Sequence, residues 1–308
     1  MISPTVIDTF FDKLLSPKIK ARSERLILTI AIVSYAVHLL LIILVNQGIL
    51  PIESKFFKNP IAAIYTPFSF ILVYEVYLLI FFLPKSITTY IGKQYEIITL
   101  IVIRRIFKDI ANLELSSDWF QNPNDLQFTY DVVTSMVLFI LIYLFYQKNA
   151  KREYIRINKL DDEGRKIRRF VNLKKGIAII LVPILVMLAL FTLYNWTSES
   201  IHDYRNGIIA FKNINKVFFD DFFTILITVD VLLLLSSFFY SDEFHKIIRN
   251  SGFVISTILI KMSFSVEGIV NNALIIGAVL FGYLILVIHD LYEKNALQPP
   301  AHDELSGQ

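Results

Sequence analysis

Six ionisable side chains interrupt apolar runs of this chain. Glu75 stands in FSFILVYEVYLLIFFL, Arg104, Arg105 and Lys108 in IITLIVIRRIFKDI, Asp230 in FFTILITVDVLLLLSS, and Lys261 in FVISTILIKMSF. A charge at the centre of a bilayer costs about 2.5–3.5 kcal/mol on insertion scales, so it persists where it faces a counter-charge, a cavity or water. Acids and bases in such runs allow two kinds of chemistry. One is a buried ion pair that holds helices in register, costly to break although worth little net stability. The other is a route for a proton or cation, with Glu75 or Asp230 as the titrating or cation-contacting group and the bases as counter-charges. Span lengths predict that Glu75 shares its depth with Arg104, and Asp230 with Lys261.

Other polar groups carry weaker signals. Asp131, Asp220 and Asp221 fall near the outer ends of apolar segments and read as an acidic mouth or as solvated interfacial residues. His38 and His289 are single histidines on apolar helices, where a packing role is expected. None of the five histidines shares a metal-ligand spacing with another, and there is no cysteine, which excludes disulfides, thiolate metal sites and cysteine nucleophiles. No P-loop, dinucleotide glycine pattern, nucleophile elbow or His-Glu-x-x-His occurs. The expectation is a non-enzyme without cofactor or metal. The net charge of +3 arises from basic loops, so no nucleic-acid partner is expected.

The elements that must position these charges are membrane helices. The composition is 55% hydrophobic and 19% charged, against about 45–50% and about 25% in soluble domains. Crossing the hydrocarbon takes about 20 apolar residues. Segments 26–46, 64–83, 128–146, 176–196, 217–239 and 272–292 meet this. Segments 94–113 and 251–270 carry bases and read as spans or as interfacial helices. The positive-inside rule decides between these. The segment before 26, with Lys13, Lys18, Lys20, Arg22 and Arg25, and the region 148–175, rich in Lys and Arg, both belong inside. An even number of crossings must separate them, so 94–113 crosses. The same reasoning makes 251–270 cross. Eight spans follow, with both termini cytoplasmic, in a multi-pass protein of the plasma (inner) membrane.

Residues 77–107 align without a gap on 234–264. The identical pairs include Phe81/Phe238, Phe82/Phe239, Ile91/Ile248, Ile98/Ile255 and Phe107/Phe264, and Arg104 falls on Lys261. A chance match of two Ile-rich spans is the alternative. A duplication implies two parallel four-helix units, 1–147 and 174–295, joined by a basic linker, 148–173, with a polar tail, 296–308. Within the linker region, Arg165, Lys166, Arg168 and Arg169 act as a positive-inside anchor or bind anionic lipid head groups. Partners expected are the bilayer, anionic lipids and a second copy of the chain. Two functions remain: an ion channel or transporter using intramembrane acid–base pairs, or a membrane-embedded sensor or assembly subunit whose charges are structural.

Overall fold

The computed structural model describes residues 4–50, 60–110, 113, 122–157, 164–205, 214–239 and 244–297. Among them the chain is all-helical. A short helix, α1 (Pro4–Leu15), leads into α2 (Pro17–Asn46). After a 3-10 turn (Pro60–Ile64) come α3 (Tyr65–Phe82), α4 (Ile87–Ile110), α5 (Pro123–Ile157), α6 (Gly164–Arg205), α7 (Ile214–Phe238), α8 (Phe244–Ser263) and α9 (Gly268–Leu297). The local chemistry explains several boundaries. The Ser16 hydroxyl accepts from the Ile19 N–H at 3.3 Å, and Pro17 occupies the first helical position of α2, where its missing N–H costs nothing. Gly48, at φ 74°, ends α2 by donating to Val45 O while Ile49 N donates to Leu44 O. This left-handed cap satisfies the last carbonyls.

Among the described residues, five stretches are long and apolar enough to cross a membrane: Val6–Asn46, Asp125–Ala150, Arg168–Thr192, Asp221–Phe238 and Gly268–Lys294. Thr66–Phe82 is a shorter apolar helix. The most apolar windows of the five stretches are only 17–39% buried. Their uncovered faces are continuous apolar stripes, such as Val133, Met136, Phe139, Ile140 and Tyr143 on α5, and Ile180, Met187, Leu190, Phe191 and Tyr194 on α6. In water such stripes would be exposed patches of a size soluble monomers avoid. In lipid they are the ordinary outer surface of a multi-pass protein, and these helices are the basis for reading the chain as one.

Helices α4 and α8 do not meet the same apolar criterion, for a physical reason. They are the most enclosed elements, with Tyr90, Tyr95, Ile98 and Val102 of α4 and Phe253, Ser256, Thr257 and Ile260 of α8 all buried. A helix whose neighbours are protein on most sides can carry polar groups that a lipid-facing helix cannot. Each packs between the helices before and after it in the chain, and the two touch each other. Contact between the first and second halves is made mainly by α5 on α9 and α1 on α6, with smaller contacts of α3 on α6 and α4 on α8. Helix α1 folds back on α6, where Asp8 meets the Lys175 ammonium at 2.6 Å and Leu15 is fully buried. Pro183 lies inside α6 and is exposed, so it faces away from the bundle and lines no interior surface.

The tightest crossing lies at Gly282. The Ser256 hydroxyl donates to Ala278 O at 2.7 Å, so the Tyr95 hydroxyl donates to Ser256 Oγ at 2.8 Å. That places Tyr95 where a Cβ on residue 282 would stand 1.7 Å from its Oη and 2.8 Å from its Cζ. Gly282→Ala is expected to destabilise the fold by about 1–3 kcal/mol, the usual cost of overpacking. Adding Tyr95→Phe should recover part of that loss, because it removes the nearer atom. Thermal unfolding in detergent measures both. An unchanged midpoint in Gly282→Ala would contradict this packing.

Candidate functional site

The helices bring polar side chains together in two layers. The outer layer is built on Arg105 of α4. Its guanidinium binds both oxygens of Asp131 on α5 and donates to Asn271 Oδ1 and Asn272 Oδ1 of α9, each at 2.6 Å. Asp131 is fully buried and also accepts from Gln127 Nε2 and Asn272 Nδ2, both at 2.8 Å, while Asn271 Nδ2 donates to Ser263 O at the end of α8. A bidentate guanidinium–carboxylate pair whose other lone pairs are also taken is a rigid fastener between four helices. This corrects a sequence expectation. Asp131 is no solvated mouth residue, because Arg105 holds it inside. Asn271 and Asn272 belong to the first turn of α9 and face Arg105.

The inner layer is built on Asp230 of α7, which is 5% exposed. Gln94 Nε2 of α4 donates to Asp230 Oδ2 at 3.0 Å, and the Thr257 hydroxyl of α8 donates to Gln94 Oε1 at 2.8 Å. The Tyr90 hydroxyl approaches Asp230 and Gln94 but has no aligned hydrogen bond among the described residues. A cavity of about 30 Å³ lies here, lined by Asp230, Tyr90, Lys174 and Asn250 together with apolar side chains such as Leu233 and Phe253. Lys174 of α6 is itself buried and donates to Lys85 O at 3.1 Å, where it caps the turn after α3. It faces Asp230 across the cavity without a direct ion pair.

Glu75 lies within electrostatic reach of Arg104, whereas Asp230 has Gln94 and Lys174 beside it, and helix geometry sets both outcomes. Glu75 lies seven residues before the end of α3 at Phe82, whereas Arg104 lies seventeen residues after the start of α4 at Ile87. At about 1.5 Å per residue these depths differ by about 15 Å. The sequence reading started span 3 at 94, but the helix begins directly after the turn, at Ile87. Asp230 and Lys261 miss each other for the same reason, since Lys261 falls in the last turn of α8. Glu75 is 6% exposed, within electrostatic reach of Arg104 and Glu96, and its Oε2 has no hydrogen-bond partner among the described residues. Glu96 is held by Lys93 Nζ at 2.6 Å and by the Tyr146 hydroxyl at 2.5 Å. Glu75→Gln is therefore expected not to lower the unfolding midpoint. A fall of several degrees would show that Glu75 is a structural ion-pair member after all.

The remaining expected residues are scattered. The side chains of Lys108, Arg165, Lys166 and Asp220 lie outside the described residues. Arg168 and Arg169 are exposed near the start of α6, and Asp221 is exposed on α7. His38 packs between helices, with Nδ1 2.5 Å from Thr66 Oγ1. His289 does have companions: its ligand atoms lie within 4.8 Å of Asp290 and Glu293. Cationic side chains already serve this group, because Lys148 binds Asp290 at 3.0 Å and Arg249 Nη1 lies 3.4 Å from His289 Nε2. The sequence reading missed Tyr90, Gln94, Lys174, Asn250 and Thr257. Most of these are uncharged and leave no mark in a search for intramembrane charge, and Lys174 was absorbed into the basic linker region. Compared with protein-family models, with curated proteins and with solved structures, the chain matches none.

Proposed function

We propose that this chain is a membrane transport protein for a proton or another small cation, and that Asp230 is the group that takes the ion up. One observation carries the reading. A fully enclosed carboxylate shares a cavity with a buried ammonium and a buried phenol, in the interior of a bundle whose outer faces are apolar. Keeping an acid there costs free energy that a plain packing residue would not, and buried ionisable groups inside membrane bundles mark ion routes by default. The bases of the outer layer have a different part in this reading. Arg105 fastens α4, α5 and α9 rather than lining the route.

The proposed architecture is eight crossings in two parallel four-helix units, with both termini cytoplasmic. Three features support it. Helices α4 and α8 start at Ile87 and Phe244, the same separation that aligns 77–107 on 234–264. Arg104 and Lys261 each sit seventeen residues from those starts. Corresponding helices of the halves touch, α4 on α8 and α5 on α9, as an axis along the membrane normal requires, although α6 also meets α1 and α3. The protein purified into liposomes should carry ions down an imposed gradient, and Asp230→Asn should abolish that flux without loss of folded protein. Normal flux in the variant would remove Asp230 from the mechanism.

The saturated hydrogen bonds around Asp131 favour a second reading, in which the chain is a membrane-embedded sensor or assembly subunit. Arg165, Lys166, Arg168 and Arg169 would then bind anionic lipid or a partner. Absence of flux, together with loss of anionic-lipid binding when these four become Gln, would favour it.

A further inference from the structure

We propose that the ion taken up at Asp230 is the proton, passed through water held between Asp230, Tyr90 and Lys174. This rests on the transport reading and narrows it to a substrate. Size comes first. A cavity must offer about 10–15 Å³ to admit a water, and about 30 Å³ is open here.

Donor chemistry comes second. A buried water is held by two to four polar partners. Four face this cavity: the Asp230 carboxylate, the Lys174 ammonium, the Asn250 amide, and the Tyr90 hydroxyl, which is 3% exposed and lies near Asp230 without an aligned hydrogen bond among the described residues. A hard metal cation needs more than this. It takes about six oxygen ligands at close range, whereas the oxygens available come from Asp230, Tyr90 and the Asn250 amide, and the rest of the lining is aliphatic or aromatic.

Charge comes third. Lys174 faces the cavity from α6, and Arg249 of α8 adds its positive charge beyond Lys174. Both oppose a resident metal cation. A proton needs no ligand shell of its own, because it binds covalently to one carboxylate oxygen. A proton arriving on the water passes to Asp230, leaving a neutral water and a neutral carboxyl group, and release reverses the step. Gln94 holds Asp230 in place from α4 by its 3.0 Å hydrogen bond, and Thr257 holds Gln94.

The test uses the full chain in liposomes at fixed density, with gradients of protons, sodium and potassium imposed separately. Proton flux is expected, lowered at least tenfold by Asp230→Asn and several-fold by Tyr90→Phe, with unfolding midpoints of both variants near wild type. Sodium and potassium uptake should match protein-free vesicles. Sodium or potassium uptake that depends on Asp230 would overturn the proton assignment and leave the transport reading standing. Absence of every flux would overturn both. Proton flux indifferent to Asp230→Asn and Tyr90→Phe would place the route elsewhere and overturn this inference.

Discussion

Asp131→Ala is expected to produce the largest loss of stability of any single substitution on the outer layer, about 3 kcal/mol. Breaking one side of a buried ion pair costs about 3–5 kcal/mol, because the remaining charge stays in the interior without its partner. The lower end applies because the Arg105 side chain is 28% exposed and can recover some solvation, whereas Asp131 is fully buried. The loss should not be additive. Once Asp131 is gone, Arg105→Ala removes an orphaned charge, so the double variant should be more stable than the sum of the single changes predicts. Denaturation in detergent micelles reads all three. The folded fraction of each variant should still carry ions in liposomes. An Asp131→Ala midpoint equal to wild type would show that the fastener contributes nothing.

Asp230→Asn is expected to have the opposite profile, with flux falling at least tenfold and stability nearly kept. Asparagine has the same shape and can still accept the hydrogen bond that Gln94 donates at 3.0 Å, so the packing of α4 against α7 survives. What is lost is the ability to take up and release a proton. A tenfold fall in rate corresponds to about 1.4 kcal/mol in the barrier, a small demand on a group that lies on the route. Leaving an amide in place of a buried charge also removes a desolvation cost, which limits any destabilisation. A variant that lost its fold as readily as its flux would make Asp230 a structural residue, which is the content of the sensor or assembly reading.

The contrast between these two acids shows what was legible in the sequence. Hydrophobic runs and the distribution of lysine and arginine marked each segment that became a long helix, because length and composition respond directly to the bilayer. The start of α4 at Ile87 was less legible. Thr88, Thr89 and Lys93 look like loop residues, yet α4 is enclosed by other helices, so they belong to its first turns. That seven-residue error, repeated at α8, which starts at Phe244 rather than 251, displaced Arg104 and Lys261 by two turns and put them at the depths of Glu75 and Asp230. Asp131 was read as an interfacial acid because a single aspartate near a span end usually is one. Its partners, Arg105, Asn271 and Asn272, come from elements distant in the chain. Asp230 was legible as a costly residue, but the groups around it were not. Gln94 and Thr257 are ordinary polar residues whose meaning lies only in their juxtaposition.

The depth of Asp230 in the bilayer depends on α4 and α8 both crossing it. The absence of cysteine makes this directly measurable, because one introduced thiol reports its own side without background. Single cysteines at a position before α2 and at one within 148–173 should react with a membrane-impermeant reagent from the same, inner, side, since the proposed architecture puts four crossings between them. Labelling of the linker from the side opposite the position before α2 would mean that α4 lies along the membrane surface. The eight-span arrangement, the parallel halves and the enclosed site at Asp230 would then be wrong together.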